Sequence, residues 1–578
     1  MRRSWFACVV VLAAVATSLS PMPGRADAGA LPVVGVGFHA LWRYNPDDPN
    51  DLNGYTPEQR QYVVNELQAA GVGWVRIDIG WASVETYQKG PPYEEWYLDQ
   101  LADAITRANA AGLKVLGTVW GTPCWAIDPT PPDCQPTDDQ YMNYPPADPR
   151  GYADVAAMLA ARFDGGPSGR IDAWEAWNEP DLPYFFDPAE TDPQVRAKDY
   201  VDDVLLPAFG CPDAPNGFQA GNPRSIAVLG GPTYEPARIE SEPAQPDEEW
   251  WINYVYDWLG KDGTACPPSQ HFEVMAVHPY LAPLDLPPEV PDQDGTNIYL
   301  LSHVATVRAV MASYGDGSKD IWFTEFGWSS HTNSGSEVGN WECGVSPEQQ
   351  GRLVVRALEM MRQNDWYDLY RVRVAFWYDD RNWNVGQPDP NVDQIKDNNF
   401  GLFGLPSSQG ATTFPEKPSY LWLKGYLRAG VMPPEQDSTM APSGEAIPDL
   451  LAPGHATQLP SALWTTNPVI TEQDYCRANV YVKVVNDTGT TKTIQYRTVD
   501  LTAHGTTYGV GSGDVDYELT SGQMTVQPRE IGTITIPVVP DLCLEPPEAF
   551  YLRYGVTPGD LGQGQATITI LDDDTRPC

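Results

Sequence analysis

The sequence predicts an α/β fold, a (β/α)8 TIM barrel followed by a small all-β sandwich, and three features carry that expectation. From about residue 32 to 430, eight short apolar runs alternate with helical stretches. In "AAGVGWVRIDI" and "NAAGLKVLGTV" a helix stops at glycine just before a strand starts. After about 461 the helical period disappears and apolar and polar residues alternate singly. A doubly wound open sheet is the competing α/β arrangement, but no GxGxxG follows a first strand.

The elements follow in order. The opening "MRRSWFACVVVLAAVATSLSPMPGRADAGA" sets two arginines before an apolar run that ends in a Pro/Gly segment with small-x-small sites. It reads as a secretory signal peptide over 1–28, too short in its apolar part to span a membrane. The barrel is expected over 32–430, with strands at 33–39, 74–79, 114–119, 172–177, 226–230, 273–278, 320–324 and 373–377. Amphipathic helices are expected at 57–70, 98–111, 152–162 and 347–363. A Pro/Gly-rich linker occupies 431–460. Over 461–578, "ANVYVKVVND", "GQMTVQPREIGTITIPVV", "EAFYLRYGV" and "QATITILDDD" read as strands of the sandwich.

Composition narrows the function. The chain has 578 residues and a formal charge of −41, and no basic block follows its first three residues. Such a surface repels nucleic acid and anionic membranes, so neither is expected as a partner. Twenty Trp and 29 Tyr supply flat apolar faces of the kind that sugar rings stack on, although core packing accounts for most tryptophans. Without Cys8 of the signal, eight cysteines remain, and an even number in an exported chain points to disulfides. Cys124 with Cys134, Cys211 with Cys266 and Cys476 with Cys543 are one set among several possible pairings. There is no CxxC, which argues against a zinc or redox site. The chain is expected to be a secreted monomer.

The chemistry concentrates at strand ends. In a barrel of this kind, residues at the C-terminal ends of the strands face the active site. Glu179 follows strand four in "DAWEAWNEPDL", and Glu325 ends strand seven in "WFTEFGW". Placing an acid among aromatics is costly unless its proton has a use. Two carboxyls converging from different strands are what glycoside hydrolysis requires: one protonates the leaving oxygen while the other attacks the anomeric carbon. Glu175 and Asp172, on the same strand as Glu179, are expected to be helix-facing or bottom-face partners rather than catalysts.

Over about 32–430, "WNEP" and "TEFGW" resemble the acid/base and nucleophile motifs of clan A retaining glycoside hydrolases, near families 39 and 5. The resemblance implies Glu179 as general acid/base and Glu325 as nucleophile, with no cofactor needed for catalysis. It implies substrate-binding roles for Asn178, for Arg76 in "VRIDIGW", for His278 and Tyr280 in "VHPY", and for Trp377 in "AFWY" as the strand-eight platform. His39 in "GFH" is the candidate from strand one. Family 5 commonly carries His after strand three, whereas this chain has "TVWGTPCW", which favours the family 39 pattern and leaves subsite identity open. Aromatic residues in loops (Trp81, Trp125, Tyr184, Phe185, Phe186, Trp328, Trp341 and Trp383) favour a long cleft and endo action over exo action.

The C-terminal region, about 465–575, resembles a Calx-beta domain through "ITEQD", "GDVDYELTSGQMTVQPREIGTITIPVV", "DLCLEPPEAF" and "ATITILDDD". Some members bind calcium, and the matching acids are Glu472, Asp516, Asp541, Glu545, Asp572, Asp573 and Asp574. Hard carboxylate oxygens suit that ion, but Pro546 and Pro547 stand where calcium-binding members carry acids, so a solvated acidic tip is the alternative. The expected partner of the whole chain is a carbohydrate, a β-linked polysaccharide. The rival from another class is a carbohydrate-binding or adhesion protein that keeps the barrel without catalysis.

Overall fold

The computed structural model describes residues 29–41, 52–135, 141–233, 251–260, 267–281, 284–285, 288–289, 300–332, 343–383, 395–408, 410–431, 438–439, 463–465, 469–471, 478–486, 490–506, 515–528, 530–539, 547–556 and 564–571. Eight parallel strands close into a barrel. They are β1 (Val33–Gly37), β2 (Trp74–Gly80), β3 (Lys114–Trp120), β4 (Ala173–Ala176), β5 (Ile226–Leu229), β6 (Val274–Val277), β7 (Asp320–Phe326) and β8 (Val372–Trp377). Each pairs with the next, and β8 returns to β1 with Val34 opposite Ala375 and Val36 opposite Trp377. All eight expected strands are present, most with ends shifted by a residue or two. Their near-continuous apolar character follows from burial on both faces, the lumen on one side and the helices on the other.

The helices begin and end where their side chains can satisfy the open backbone groups. Helix α1 (Pro57–Ala70) starts with a capping box between Thr56 and Gln59 and stops at Gly71, which takes φ of 96°, a conformation costly for residues with a Cβ. Helices α2 (Glu95–Ala110) and α3 (Pro149–Arg162) begin three residues earlier than their apolar period indicates. In α3 the earlier start is an Asp148 cap followed by Pro149. Helix α4 (Pro347–Gln363) has a second capping box, Ser346 with Gln349. No described helix is long and apolar enough to cross a membrane.

The lower lumen is filled by Trp74, Leu116, Ala173, Val228, Val274, Ala276, Trp322, Val374 and Phe376, a packed plug rather than a pore. A separate core joins the C-terminal sheets. One sheet holds Ala478–Asn486 and Glu530–Val538 paired antiparallel; the other holds Lys492–Asp500, Ser521–Val526, Glu548–Gly555 and Gly564–Leu571. Within the segment expected to be linker, Ser438–Thr439 pairs with Thr533 and Ile534, so part of that stretch adds a strand to the sandwich.

Several expectations fall on residues outside those described: the signal segment 1–28, Trp341, and the acids Glu472, Asp541, Glu545, Asp572, Asp573 and Asp574. Asp516 is described. It is buried, and its Oδ2 accepts the His504 backbone N–H at 2.6 Å. Cys124 and Cys134 form a disulfide with Cα atoms 5.9 Å apart. Cys211 and Cys343 are also disulfide-bonded, and Cys266 lies outside the described residues.

Candidate active site

The upper lumen is organised around Arg76. On β2, Trp74, Arg76 and Asp78 share the inward face because strand side chains alternate. The buried Arg76 guanidinium divides its donors among three residues, two from the end of β4 and one from β7. Its Nε reaches Glu175 Oε2 at 2.9 Å, Nη1 reaches Glu325 Oε1 at 2.6 Å, and Nη2 reaches Asn178 Oδ1 at 2.6 Å. Nη1 also lies 3.3 Å from Asp78 Oδ1. A planar fork with five donors suits this divided role in a way that a lysine could not. Its carboxylates hold its pKa well above normal despite burial.

Glu175 is placed differently from the expectation. It is neither helix-facing nor at the bottom of the barrel but fully buried inside the lumen, one layer above Ala173. Its oxygens accept from Arg76, from Thr118 Oγ1 at 2.6 Å and from the Gly231 N–H at 3.2 Å. Burial pushes its carboxyl up, but Arg76, His278 and these donors outweigh it, so it stays below the usual range as an anion. Asp172 does sit at the lower end, where it pairs with Arg170 at 2.8 Å and accepts from the Val115 N–H.

The chain departs from strand geometry at the end of β4. Trp177 and Glu179 have φ of 81° and 42°, the left-handed region that costs a non-glycine residue about 1–3 kcal/mol. Trp177 turns outward into the helical layer, its Nε1 donating to Phe185 O at 2.8 Å. Asn178 and Glu179 are thereby delivered to the lumen. Glu179 Oε1 lies 2.8 Å from His278 Nδ1, and His278 Nε2 lies 3.0 Å from Thr324 Oγ1. Burial lowers the His278 pKa, and the Glu325 charge opposes that shift. Gly231 makes room for it: a Cβ there would stand 2.7 Å from the imidazole.

Glu325 comes from β7. Its Oε1 takes Arg76, and its Oε2 accepts the Tyr280 hydroxyl at 2.8 Å, with His278 Nδ1 3.7 Å away. Burial raises its pKa above the glutamate range; His278 and Arg76 pull it back, and Glu179 pushes it up. Tyr280 stays a phenol, since burial and the Glu325 charge both disfavour phenolate. Ligand atoms of Glu179, His278 and Glu325 lie within 4.8 Å of one another, close enough to hold a metal ion. The Arg76 cation at 2.6 Å from Glu325 works against a divalent ion there.

The structure therefore brings together Glu179, Glu325, Arg76, Asn178, His278 and Tyr280. His39 stands on the neighbouring wall. Its Nε2 is 3.3 Å from Asp379 Oδ2, its ring meets Tyr378 edge-on at 5.5 Å, and the buried acids around it raise its pKa to about 9 in spite of desolvation. Trp377 is not a platform. It is fully buried on the outer side of β8, stacked on Trp328, with Nε1 donating to Phe400 O. The inward residue is the next one, Tyr378, which packs against Tyr280 and His39. Among the loop aromatics, Trp81, Phe186 and Trp328 are also core, whereas Phe185 packs edge-on against Trp120 and Tyr184 edge-on against Phe185.

Sequence reasoning passed over Asp78, Thr118, Thr324 and Tyr378, and set Glu175 on the wrong face. The two acids had a signal. Asp78 shares parity with Arg76, and a buried arginine needs more than one carboxylate to compensate its desolvation.

No protein-family model matches the chain, and no curated protein does. Among solved structures, it is similar to a family 39 glycoside hydrolase from the gut symbiont Bacteroides cellulosilyticus, at 15% identity and TM-score 0.41, over 88% of this chain and 81% of that one. It is similar to the endo-β-1,4-mannanase from Thermotoga petrophila at 11% identity and TM-score 0.41, over 94% and 98% of the two chains. A family 5 glycoside hydrolase variant from Streptomyces cattleya, in complex with Manβ1-4GlcNAc, gives 14% identity and TM-score 0.42 over 76% and 85%.

Proposed function

We propose that the chain is an exported retaining glycoside hydrolase that cleaves β-linked oligo- or polysaccharides by double displacement. The observation that carries this is the pair of buried carboxylates on strands four and seven, with oxygens within 4.8 Å of each other. Retaining enzymes hold their carboxyls about 5–5.5 Å apart and inverting ones about 6.5–9.5 Å, so that a water fits between carboxylate and sugar. Glu325 attacks the anomeric carbon as Glu179 gives its proton to the glycosidic oxygen, and the leaving sugar departs as an alcohol. Glu179 then takes a proton from water, which displaces Glu325 and releases the sugar with its configuration retained.

The surroundings support these roles. Arg76 and Tyr280 each bind one oxygen of Glu325, which fixes its orientation and favours the anion needed for attack. His278 fixes Glu179 from one side. The proton donor must face the leaving group, so the Trp120, Phe185 and Tyr184 aromatics, which lie at the end of β3 and in the segment after β4 that also carries Glu179, are candidates to support an aglycone sugar; Tyr184 is 78% exposed. No cofactor enters this chemistry. Export is supported by the N-terminal apolar segment and by a disulfide, a bond that persists in oxidising compartments. The test is turnover on a panel of aryl β-glycosides and β-linked polysaccharides. Product of retained configuration is expected; absence of turnover on every member would leave a non-catalytic carbohydrate-binding protein.

A further inference from the structure

One inward carboxylate of the catalytic assembly, Asp78, has no part in the proposed chemistry beyond its ion pair with Arg76. Asp78 stands one step above Arg76 on β2, toward the mouth of the barrel, and its side chain is 30% exposed where Arg76 beneath it is 2%. Its Oδ1 is buried and accepts no hydrogen bond among the described residues, although Arg76 Nη1 is 3.3 Å away. That same nitrogen binds Glu325 at 2.6 Å, so Asp78 and the proposed nucleophile flank one guanidinium. The Asp78 charge reaches His39, Tyr378 and Glu325, groups of strands one, eight and seven, across the mouth of the barrel.

Position on the rim assigns this wall to one sugar. The leaving group lies toward Glu179, on β4, because that residue must protonate its oxygen. The sugar that becomes bonded to Glu325 therefore lies over the arc from β6 through β7, β8 and β1 to β2. His39 is 11% exposed there and Asp78 sits beside it. A carboxylate held by an ion pair with Arg76 and 30% exposed is an acceptor for sugar hydroxyls, each of which brings a donor. Against a sugar that itself carries a carboxylate, Asp78 adds to Glu325 and to the buried Asp379 and Asp380, four acids that outnumber the His39 and Arg76 cations on this wall and so repel it on balance.

We propose that Asp78, with His39 beside it, forms the recognition wall for the non-leaving sugar, accepts that sugar's hydroxyl hydrogens, and restricts it to a neutral sugar. The inference rests on the glycosidase reading above and adds the class of sugar to it. The experiment compares kcat/KM of the full chain on the best-cleaved neutral aryl β-hexoside of the panel with that on the corresponding aryl β-hexuronide, for the native sequence and Asp78→Asn. The native protein should prefer the neutral sugar by at least about tenfold. Asp78→Asn should lose about tenfold or more on it, the effect of one charge-assisted hydrogen bond, while losing less or gaining on the hexuronide. The ratio should therefore collapse. An unchanged ratio overturns the proposal, as does a native protein that cleaves both sugars equally well, a result that needs no variant to fold. Turnover of no glycoside at all overturns the glycosidase reading together with this one, so the two failures are distinct.

Discussion

Two levels of one lumen, built from the same strands, are chemically opposite. The lower level is wholly apolar, with Trp74, Ala173, Ala276 and Trp322 among its members. Two residues higher on β2, β4 and β6 stand Arg76, Glu175 and His278, and β7 brings Thr324 and Glu325 to the same height. All five are buried. The lower level stabilises by removing apolar area from water, at about 25 cal/mol per Å2. The upper level spends stability, because desolvating charges costs more than most ion pairs return. A barrel can hold such a level only because a packed plug lies beneath it.

The comparison is broken most severely by the two glutamates. Glu325→Ala should lose about 10^4-fold or more in kcat on every glycoside while the fold persists. Glu179→Ala should lose about 10^2–10^4-fold on substrates with poor leaving groups and far less on activated aryl glycosides, which barely need protonation. Azide separates them: it should give a glycosyl azide of retained configuration with Glu179→Ala and of inverted configuration with Glu325→Ala. The opposite assignment of products would reverse the roles.

The lower level should fail in the other currency. Trp322→Ala removes a ring that packs against Trp74 and Phe376, and should cost about 3–5 kcal/mol in denaturant unfolding. Its kcat, measured where the protein remains folded, should stay within about threefold of native. A large loss of kcat at full stability would show that the two levels are not independent.

The smallest effect is a shift in pH dependence. With Glu325 raised above the ordinary glutamate range, the acidic limb of kcat/KM should lie above that range, since attack requires the anion. The stability sign follows from the same shift. A carboxyl whose folded pKa exceeds its unfolded one binds its proton more tightly when folded, so stability falls as pH rises from the unfolded to the folded value. Glu325→Gln should remove that decline, which paired unfolding curves across the interval would register. A limb at or below the ordinary range would mean that Arg76 and Tyr280 outweigh burial.

Much of this was legible in the sequence. Strand alternation with helices gave the barrel, and acids at the ends of apolar strands gave Glu179 and Glu325, because barrel topology sends those ends to one mouth. Parity was not legible. Strict alternation would turn Glu325 outward if Thr324 points in, yet both reach the lumen, and the register between β7 and β8 is irregular between Phe323 and Phe326. At the end of β4 the positive φ of Trp177 and Glu179 does the same for Asn178 and Glu179. On β8 no such break occurs before Trp377, so Phe376 points in and Trp377 out, and the aromatic facing the cleft is Tyr378. Sequence by itself determined which residues ended each strand and that charged ones were among them. Only the tertiary structure decided which of two neighbours faces inward, because a backbone irregularity is stable only where packing and hydrogen bonds from other strands hold it in place.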